Sequence, residues 1–175
     1  MSPSDQASLF KSWLEEHCGI VVKIVRSFAP APTDAADLQQ EMLLQLWTSL
    51  SSYAGQAKPS TWIYRVCLNT ALTWRRGTVR WARRIEPEAD IGALAAATAS
   101  PAEHVGDEEV LGQLYAAIHA LPMFDRALVL LALDGLAYRE IAEITGLTEN
   151  HVGVSLTRAR QRLAVLMKGV TDELE

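Results

Sequence analysis

Apolar residues recur three or four positions apart along most of the chain, and this spacing predicts helices. No stretch alternates between apolar and polar residues with period two, so we expect no sheet. In the first half of the chain, the predicted helices cover Gln6 to Phe28, Thr33 or Asp34 to about Gly55, and Thr61 to about Arg80. Pro30 and Pro32 are expected to end the first of them, because proline removes a backbone donor.

The second predicted helix separates its apolar and polar positions clearly. Its buried side is predicted to consist of Leu38, Met42, Leu46 and Leu50, at steps of four. Its surface side is predicted to carry Asp37, Gln40, Glu41 and Leu44. The third helix is predicted to turn Ile63, Val66, Cys67, Thr70 and Leu72 inward.

Residues 85–105 interrupt the helical pattern. The segment is rich in alanine and acids, is bounded by Pro87 and Pro101, and shows no sustained amphipathic spacing, which is typical of a linker. We therefore predict an all-α protein of two small helical domains, residues 1–84 and 106–175, joined by a flexible acidic linker. The second domain should begin with helices from Asp107 to Ala120 and from Phe124 to Asp134.

The stretch GLAYREIAEITGLTENHVGVSLTRARQRL, from Gly135 to Leu163, is typical of a helix-turn-helix. Gly146 can take the positive φ that ends the first helix, and Thr148 can cap the second. The first helix is expected to bury Ile141, Ala142 and Ile144, and the second Val152, Leu156, Ala159 and Leu163. Asn150, His151, Val154, Thr157, Arg158 and Arg162 are then left facing outward. The alternative is an ordinary helical hairpin without a ligand.

Charge is segregated along the chain, although the net charge is −5. From Lys58 to Arg84 there are seven basic residues and no acid, whereas from Glu86 to Asp134 nine acids face Arg126 alone. The basic stretch also contains three tryptophans, so it could neutralise phosphates and stack on bases. The alternative is a solvated basic face whose aromatic residues belong to the core.

The remaining features favour a cytoplasmic, non-catalytic protein. No apolar run reaches the roughly 18 residues of a membrane span, and the first ten residues lack the pattern of a signal peptide. Cys18 and Cys67 lie in apolar contexts away from any histidine pair, which predicts two buried thiols and no metal. We also find no nucleophile with a base and no phosphate-binding glycine loop, so we predict neither an enzyme nor a cofactor.

Two sets of motifs resemble bacterial sigma factors of the extracytoplasmic-function group. DAADLQQEMLLQLWTSL and STWIYRVCLNTALTWRR in the first half are similar to that family's acidic and tryptophan-containing helices. HALPMFDRALVLLALDGLAYREIAEITGLTENHVGVSLTRARQRL in the second half is similar to its helix-turn-helix region. The resemblance covers nearly the whole chain apart from the linker and the last few residues. It implies a protein that binds core RNA polymerase, recognises the −35 and −10 elements of promoter DNA and helps to open the duplex.

The resemblance also implies roles for residues of the first domain. Asp37, Gln40 and Glu41 match the helix with which the family binds core polymerase. Lys58, Asn69, Arg75 and Arg76 match the region that recognises and melts the −10 element, with the loop Gln56 to Thr61 as the wall of a base pocket. Trp62 could stack on a base, but an inward-packed core position is the more usual use of an aromatic residue at helical spacing.

For the −35 element, the exposed face of the second helix of the motif is expected to read bases. Asn150, His151 and Val154 lie early on that face, and Arg158 is the best phosphate contact, with Arg139 a weaker one. Arg160 and Arg162 could equally be solvated. The chain departs from the family at Gly153 and Ser155, where many members carry basic residues, and its loop Gly55 to Ser60 lacks an aromatic residue often found there.

Two rival functions remain open on the sequence alone. A helix-turn-helix regulator could bind promoters without replacing sigma, and an interaction module could have lost DNA binding. The resemblance also implies an anti-sigma factor as a partner, with the linker Glu86 to His104 letting the domains close around it. In the competing view, the acidic linker itself screens the basic stretch, an effect that should fade with salt.

Overall fold

The computed structural model describes residues 3–29, 31–85 and 107–172, and the side chains of residues 4–29, 31–74 and 110–168. Within these ranges all regular structure is helical and no strand occurs, which confirms the predicted all-α fold. The helices are α1 (Pro3–Phe28), α2 (Pro32–Ser49), α3 (Pro59–Ile85), α4 (Asp107–Ala120), α5 (Met123–Leu133), α6 (Tyr138–Thr145) and α7 (Glu149–Asp172). A short 3-10 helix, Leu50–Ser52, follows α2.

The helices form two compact units, the first built mainly on α1 to α3 and the second mainly on α4 to α7. The predicted linker, residues 85–105, lies outside the described residues apart from Ile85. The boundaries of the two domains at residues 84 and 106 therefore stay predictions.

The first unit has the core that the spacing of α2 predicts. Leu38, Met42, Leu46 and Leu50 are all buried, whereas Leu44 is exposed. Helix α1 buries Ile24 and Phe28 completely. Helix α3 differs in part from the prediction, because Ile63, Tyr64, Cys67, Leu68 and Ala71 are buried while Val66 and Leu72 are only half-buried.

Three aromatic rings meet where α1, the end of the 3-10 helix and α3 come together. The ring centroids of Trp13 and Tyr53 are 4.8 Å apart, and those of Trp13 and Trp62 are 5.5 Å apart, both edge to face. The rings of Tyr53 and Trp62 close the triangle at 5.7 Å. Tyr53 also donates its hydroxyl proton to the carbonyl of Ala57 at 2.6 Å, which ties down the loop before α3. Trp62 is thus half-buried, with its ring packed against the other two.

Several local predictions for the first unit are wrong. Pro32 begins α2 at its first turn, where a missing N–H costs nothing, so the helix starts earlier than Thr33. Likewise Pro59 is the first residue of α3, so Pro59 to Thr61 belong to a helix and shorten the predicted loop. Both thiols were predicted to be buried. Cys67 is buried, but Cys18 is exposed on α1.

The second unit packs aliphatic side chains between α4, α5 and α7. Ile118 and Leu121 lie against Val129 of α5 and Ala159 of α7 in one buried cluster. All residues of α5 from Asp125 to Leu131 are buried, so this part of the helix has no face exposed to solvent.

A buried arginine secures the corner between α4 and α5. The guanidinium of Arg126 donates hydrogen bonds to the carbonyl oxygens of His119 and Leu121, the latter at 3.1 Å. These carbonyls belong to the end of α4, where backbone acceptors have no partner within the helix. The corner is therefore fixed by a side chain from α5.

Candidate nucleic-acid interface

Helices α6 and α7 are joined by the tight turn that the sequence predicts. Gly146 has φ 76°, a left-handed conformation that ends α6, and its N–H bonds the carbonyl of Ala142 at 2.9 Å. Ile141 and Ile144 point inward and are buried, while Ala142 and Leu147 are half-buried. This geometry confirms the predicted helix-turn-helix.

Side chains satisfy the backbone at the start of both helices. The Thr148 hydroxyl accepts a hydrogen bond from the N–H of His151 at 3.3 Å, as expected of the residue that caps α7. At the start of α6, the carboxylate of Glu140 accepts the N–H of Ala137 at 3.1 Å. Both helices of the motif therefore begin at defined residues.

Helix α7 presents one buried and one exposed face. Val152, Leu156 and Ala159 are fully buried, and Leu163 is half-buried one turn later. The four residues predicted to contact the −35 element, Asn150, His151, Val154 and Arg158, are all exposed. They recur every three or four residues with His151 at the edge, so they share one side of the helix. Val154 leaves 45% of its surface open, which makes its methyl groups available to a partner.

Two contacts in this unit were not visible in the sequence. Arg162 is exposed, as predicted, and its guanidinium also forms an ion pair with the buried carboxylate of Asp125 on α5. The ring of Tyr138, the first residue of α6, lies against Gly153 of α7. A glycine inside a helix was the only signal in the sequence for this second contact.

In the first unit, the predicted polymerase-binding residues lie together on α2. Asp37 and Gln40 are exposed, and the half-buried Glu41 accepts a hydrogen bond from Gln45 at 2.8 Å. Leu44 lies on the same side one turn later, with 53% of its surface exposed. The exposed side of α2 thus combines polar residues with an uncovered leucine.

The residues predicted to contact the −10 element are only partly described. Lys58 is exposed directly before α3, and Asn69 is exposed further along that helix. Arg75 and Arg76 continue α3, but their side chains lie outside the described residues. Of the predicted pocket wall, Gln56 is exposed, whereas Thr61 is buried in the first turn of α3.

Across the described residues, no group of three or more His, Cys, Asp or Glu side chains could hold a metal ion. No helix in the same ranges is long and apolar enough to cross a membrane.

Comparison with known proteins identifies both units. The family model of Sigma-70 region 2 matches residues 13–84, and that of Sigma-70 region 4 matches residues 111–163. The chain is 30% identical to the ECF RNA polymerase sigma-E factor of Escherichia coli K12 over 154 residues, or 82% of this chain and 78% of that protein. It is 31% identical to the ECF RNA polymerase sigma factor SigE of Mycolicibacterium smegmatis over 168 residues, or 91% of this chain and 62% of that protein.

Two solved structures share the fold. The sigma factor RpoE of Bartonella quintana, in complex with the anti-sigma factor NepR, has a TM-score of 0.73 at 22% identity, covering 91% of this chain and 96% of that one. CnrH, in complex with the cytosolic domain of CnrY, has a TM-score of 0.65 at 19% identity, covering 95% of this chain and 94% of that one.

Proposed function

Because this chain belongs to the extracytoplasmic-function (ECF) family of RNA polymerase sigma factors, we propose a specific role for each of its two units. The chain is an alternative sigma factor that binds core RNA polymerase and directs promoter-specific transcription initiation. Proteins of this family are regulatory and not enzymes. The observation that carries the function is the order of region 2 and region 4, each on its own helical unit. We place its action in the cytoplasm, with the polymerase.

The decisive experiment reconstitutes the full chain with core RNA polymerase and genomic DNA and sequences the transcripts. A sigma factor should produce transcripts that share two upstream elements, and none should appear with core alone. A regulator that acts without replacing sigma would yield no such transcripts.

We assign core binding to Asp37, Gln40 and Glu41 on α2. The supporting observation is that they lie within two helical turns of the exposed Leu44, because protein interfaces commonly combine apolar and polar side chains. Reversing the charge of Asp37 and Glu41 to lysine should weaken core binding and leave helicity unchanged. The matched control reverses Glu15 and Glu16 on the exposed side of α1. Equal effects of the two double variants would contradict the assignment.

We assign the −10 element to Lys58, Asn69, Arg75 and Arg76. The support is the exposure of Lys58 and Asn69 and the absence of acids between Lys58 and Arg84, since single-stranded DNA is commonly held by basic grooves. Asn69→Ala should reduce promoter opening, measured by permanganate footprinting, with unchanged binding to core. Thr73→Ala, also exposed and one turn later on α3, is the control. Full opening by the Asn69 variant would exclude the role.

We assign the −35 element to Asn150, His151, Val154 and Arg158. Asn150 suits an adenine edge and Val154 a thymine methyl group, whereas Arg158 suits a phosphate. Asn150→Ala should relax the preference at one base pair by about 1–3 kcal/mol, while Arg158→Ala should weaken all duplexes alike and lower the salt slope by about 1. The two variants should therefore differ in kind, and indistinguishable effects would refute the docking of α7.

The missing basic residues at 153 and 155 should leave the second unit a weak DNA binder by itself. Ser155→Arg should steepen the salt dependence of duplex binding by roughly 0.9 in slope, with little change in base preference. An unchanged slope would show that position 155 does not approach the phosphates.

We further propose that a protein inhibitor controls this chain. Both solved structures that share the fold are complexes with a second protein, and in one of them that protein is named as an anti-sigma factor. An inhibitor of this kind would cover the polymerase-binding face of α2. To test this, binding partners are captured from the source cell with the parent chain and with the Asp37/Glu41 charge-reversal variant. The variant should lose the inhibitor together with polymerase. A purified chain that is fully active at low salt, with polymerase as the only captured partner, would remove both the inhibitor and the screening by the linker.

A further inference from the structure

Two arginines lie one helical turn apart on α7. Arg158, the proposed phosphate contact, and Arg162 are both exposed, and their spacing of four residues places them on the same side of the helix. Arg162 is also seven residues after Ser155, about two turns, on the edge where many family members carry a basic residue. By position alone, Arg162 would therefore be a second phosphate contact of α7.

The structure gives Arg162 a different partner. Its guanidinium is bound by the carboxylate of Asp125, which lies in the first turn of α5, where the helix dipole favours an acid. The side chain of Arg162 is 55% exposed, whereas that of Asp125 is only 12% exposed. The pair thus joins a mostly buried anion to a cation at the surface.

The unequal burial decides which partner Arg162 keeps. If the guanidinium moved to a DNA phosphate, the carboxylate of Asp125 would be left mostly buried and without its cation, which is strongly destabilising. The phosphate offers the arginine the same kind of charge-assisted hydrogen bond, so little is gained in exchange. The ion pair is therefore favoured over the phosphate contact.

We infer that Asp125 is a positioning residue, which holds Arg162 away from the DNA backbone when α7 docks. The restraint removes one phosphate contact and lowers the affinity for every duplex alike, because phosphate contacts carry no sequence information. It adds to the lack of cations at positions 153 and 155, and makes promoter binding depend more strongly on the polymerase. The inference rests on the proposed docking of α7 at the −35 element.

Asp125→Asn tests the restraint, because the amide keeps the shape of the carboxylate but lets Arg162 leave without exposing an unpaired charge to the core. Holoenzyme made from the full chain and core polymerase is titrated at several salt concentrations with a duplex carrying the upstream element recovered by transcript sequencing. The salt slope should steepen by roughly 0.9, and binding at low salt should tighten about threefold to tenfold. Duplexes altered at the upstream element should gain equally.

Arg162→Gln supplies the matched arm at an exposed residue. By itself it should leave the salt slope unchanged, because a guanidinium bound by the protein releases no counterion from DNA. Combined with Asp125→Asn, it should abolish the steepening. A steeper slope that persists in the double variant would come from the lost negative charge alone and would overturn the restraint.

Hydrogen exchange of α5 and α7 shows whether each variant is folded. If Asp125→Asn disturbs the fold, Arg162→Gln still decides the question. An unchanged slope for Arg162→Gln supports the restraint, whereas a slope lowered by about 1 would show that Arg162 already contacts a phosphate and would overturn it.

Asn150→Ala and Arg158→Ala, measured in the same titration, separate this inference from the function on which it rests. If both behave as assigned and a folded Asp125→Asn binds with the slope of the parent, the docking of α7 stands and the restraint is refuted. If Asn150→Ala and Arg158→Ala are both silent, the docking fails and the restraint fails with it.

Discussion

The two units reach stability with different side chains. In the first unit, Trp13, Tyr53 and Trp62 pack edge to face at the junction of α1 and α3. In the second unit, the described buried apolar side chains are all aliphatic, and the charged pair of Asp125 and Arg162 lies at their margin. Large rings can fill a junction between helices and a loop, whereas small residues such as Ala159 let helices approach closely. The aromatic cluster of the first unit holds the loop before α3, whereas the aliphatic core of the second unit supports α7.

This contrast also provides a probe for each unit. All five tryptophans lie within the first 81 residues, so tryptophan fluorescence reports on the first unit alone. Hydrogen exchange of α5 and α7 reports on the second.

The largest effect is expected from Trp13→Ala in the aromatic cluster. The side chain is buried and contacts two rings, so its removal should cost the first unit about 3–5 kcal/mol of unfolding free energy, measured by urea titration with fluorescence. Trp47→Ala is the matched control, because Trp47 is 38% exposed and its ring lies edge to face with that of Phe10, at 5.2 Å between centroids. Similar losses in both variants would show that the cluster is not the centre of this unit.

The ion pair between Asp125 and Arg162 should contribute less to the unfolding free energy of the second unit. Asp125→Ala leaves Arg162 without its partner, but the arginine is half-exposed and can be hydrated. We therefore expect a loss of about 1–2 kcal/mol, below the 3–5 of a fully buried pair. Hydrogen exchange of α5 and α7 in Asp125→Ala, Arg162→Ala and the double variant measures the coupling. Additive losses would show that the pair contributes nothing.

Alkaline pH should weaken the first unit through Cys67. Burial raises the pKa of this thiol from its ordinary value of about 9 to about 12. The unfolded thiol loses its proton at lower pH than the folded one, so this contribution is complete below pH 9 and is lost as pH rises towards 12. At pH 10 the loss should be about 1.4 kcal/mol.

Cys67→Ala provides the control, since it lacks the thiol and should show a smaller decline above pH 9. At neutral pH a thiol reagent should label the exposed Cys18 at once and Cys67 only on unfolding. Rapid labelling of both cysteines would contradict the burial of Cys67.

The smallest effects concern the starts of two helices. Helix α7 is capped by Thr148. The residue at the same position before α2 is Ala31, whose extended backbone suits a cap although its side chain cannot accept a hydrogen bond. Thr148→Ala should therefore destabilise the second unit by about 1 kcal/mol, and Ala31→Ser should stabilise the first by about 0.5–1 kcal/mol. Hydrogen exchange and fluorescence, respectively, measure the two changes. Opposite signs are required, and two losses would refute the assignment of Ala31.

Sequence reasoning predicted the regular parts of both units. The stripes of α2 and α7 and the turn at Gly146 follow from spacing and from a required backbone conformation, which are local properties. Sequence reasoning failed for residues that are compatible with two local structures. Pro32 and Pro59 can end one helix or begin the next, and neighbouring residues alone do not decide between these.

The candidate site was predictable in its exposed positions but not in its contacts between helices. Asn150 and Val154 could be placed on the outer face from periodicity alone. The pairing of Arg162 with Asp125 joins residues 37 positions apart, and the packing of Tyr138 on Gly153 depends on how α6 crosses α7. Such contacts become visible only when the helices are assembled.

The hydrogen bonds of Arg126 at the corner of α4 and α5 have a consequence for the order of folding. They join residues only five and seven positions apart, so little chain entropy is lost when they form. Contacts of such short range form early, whereas the pairing of Asp125 with Arg162 must close a much longer loop. We expect the α4–α5 hairpin to assemble first and to provide the surface onto which α7, and with it the DNA-reading face, is added late.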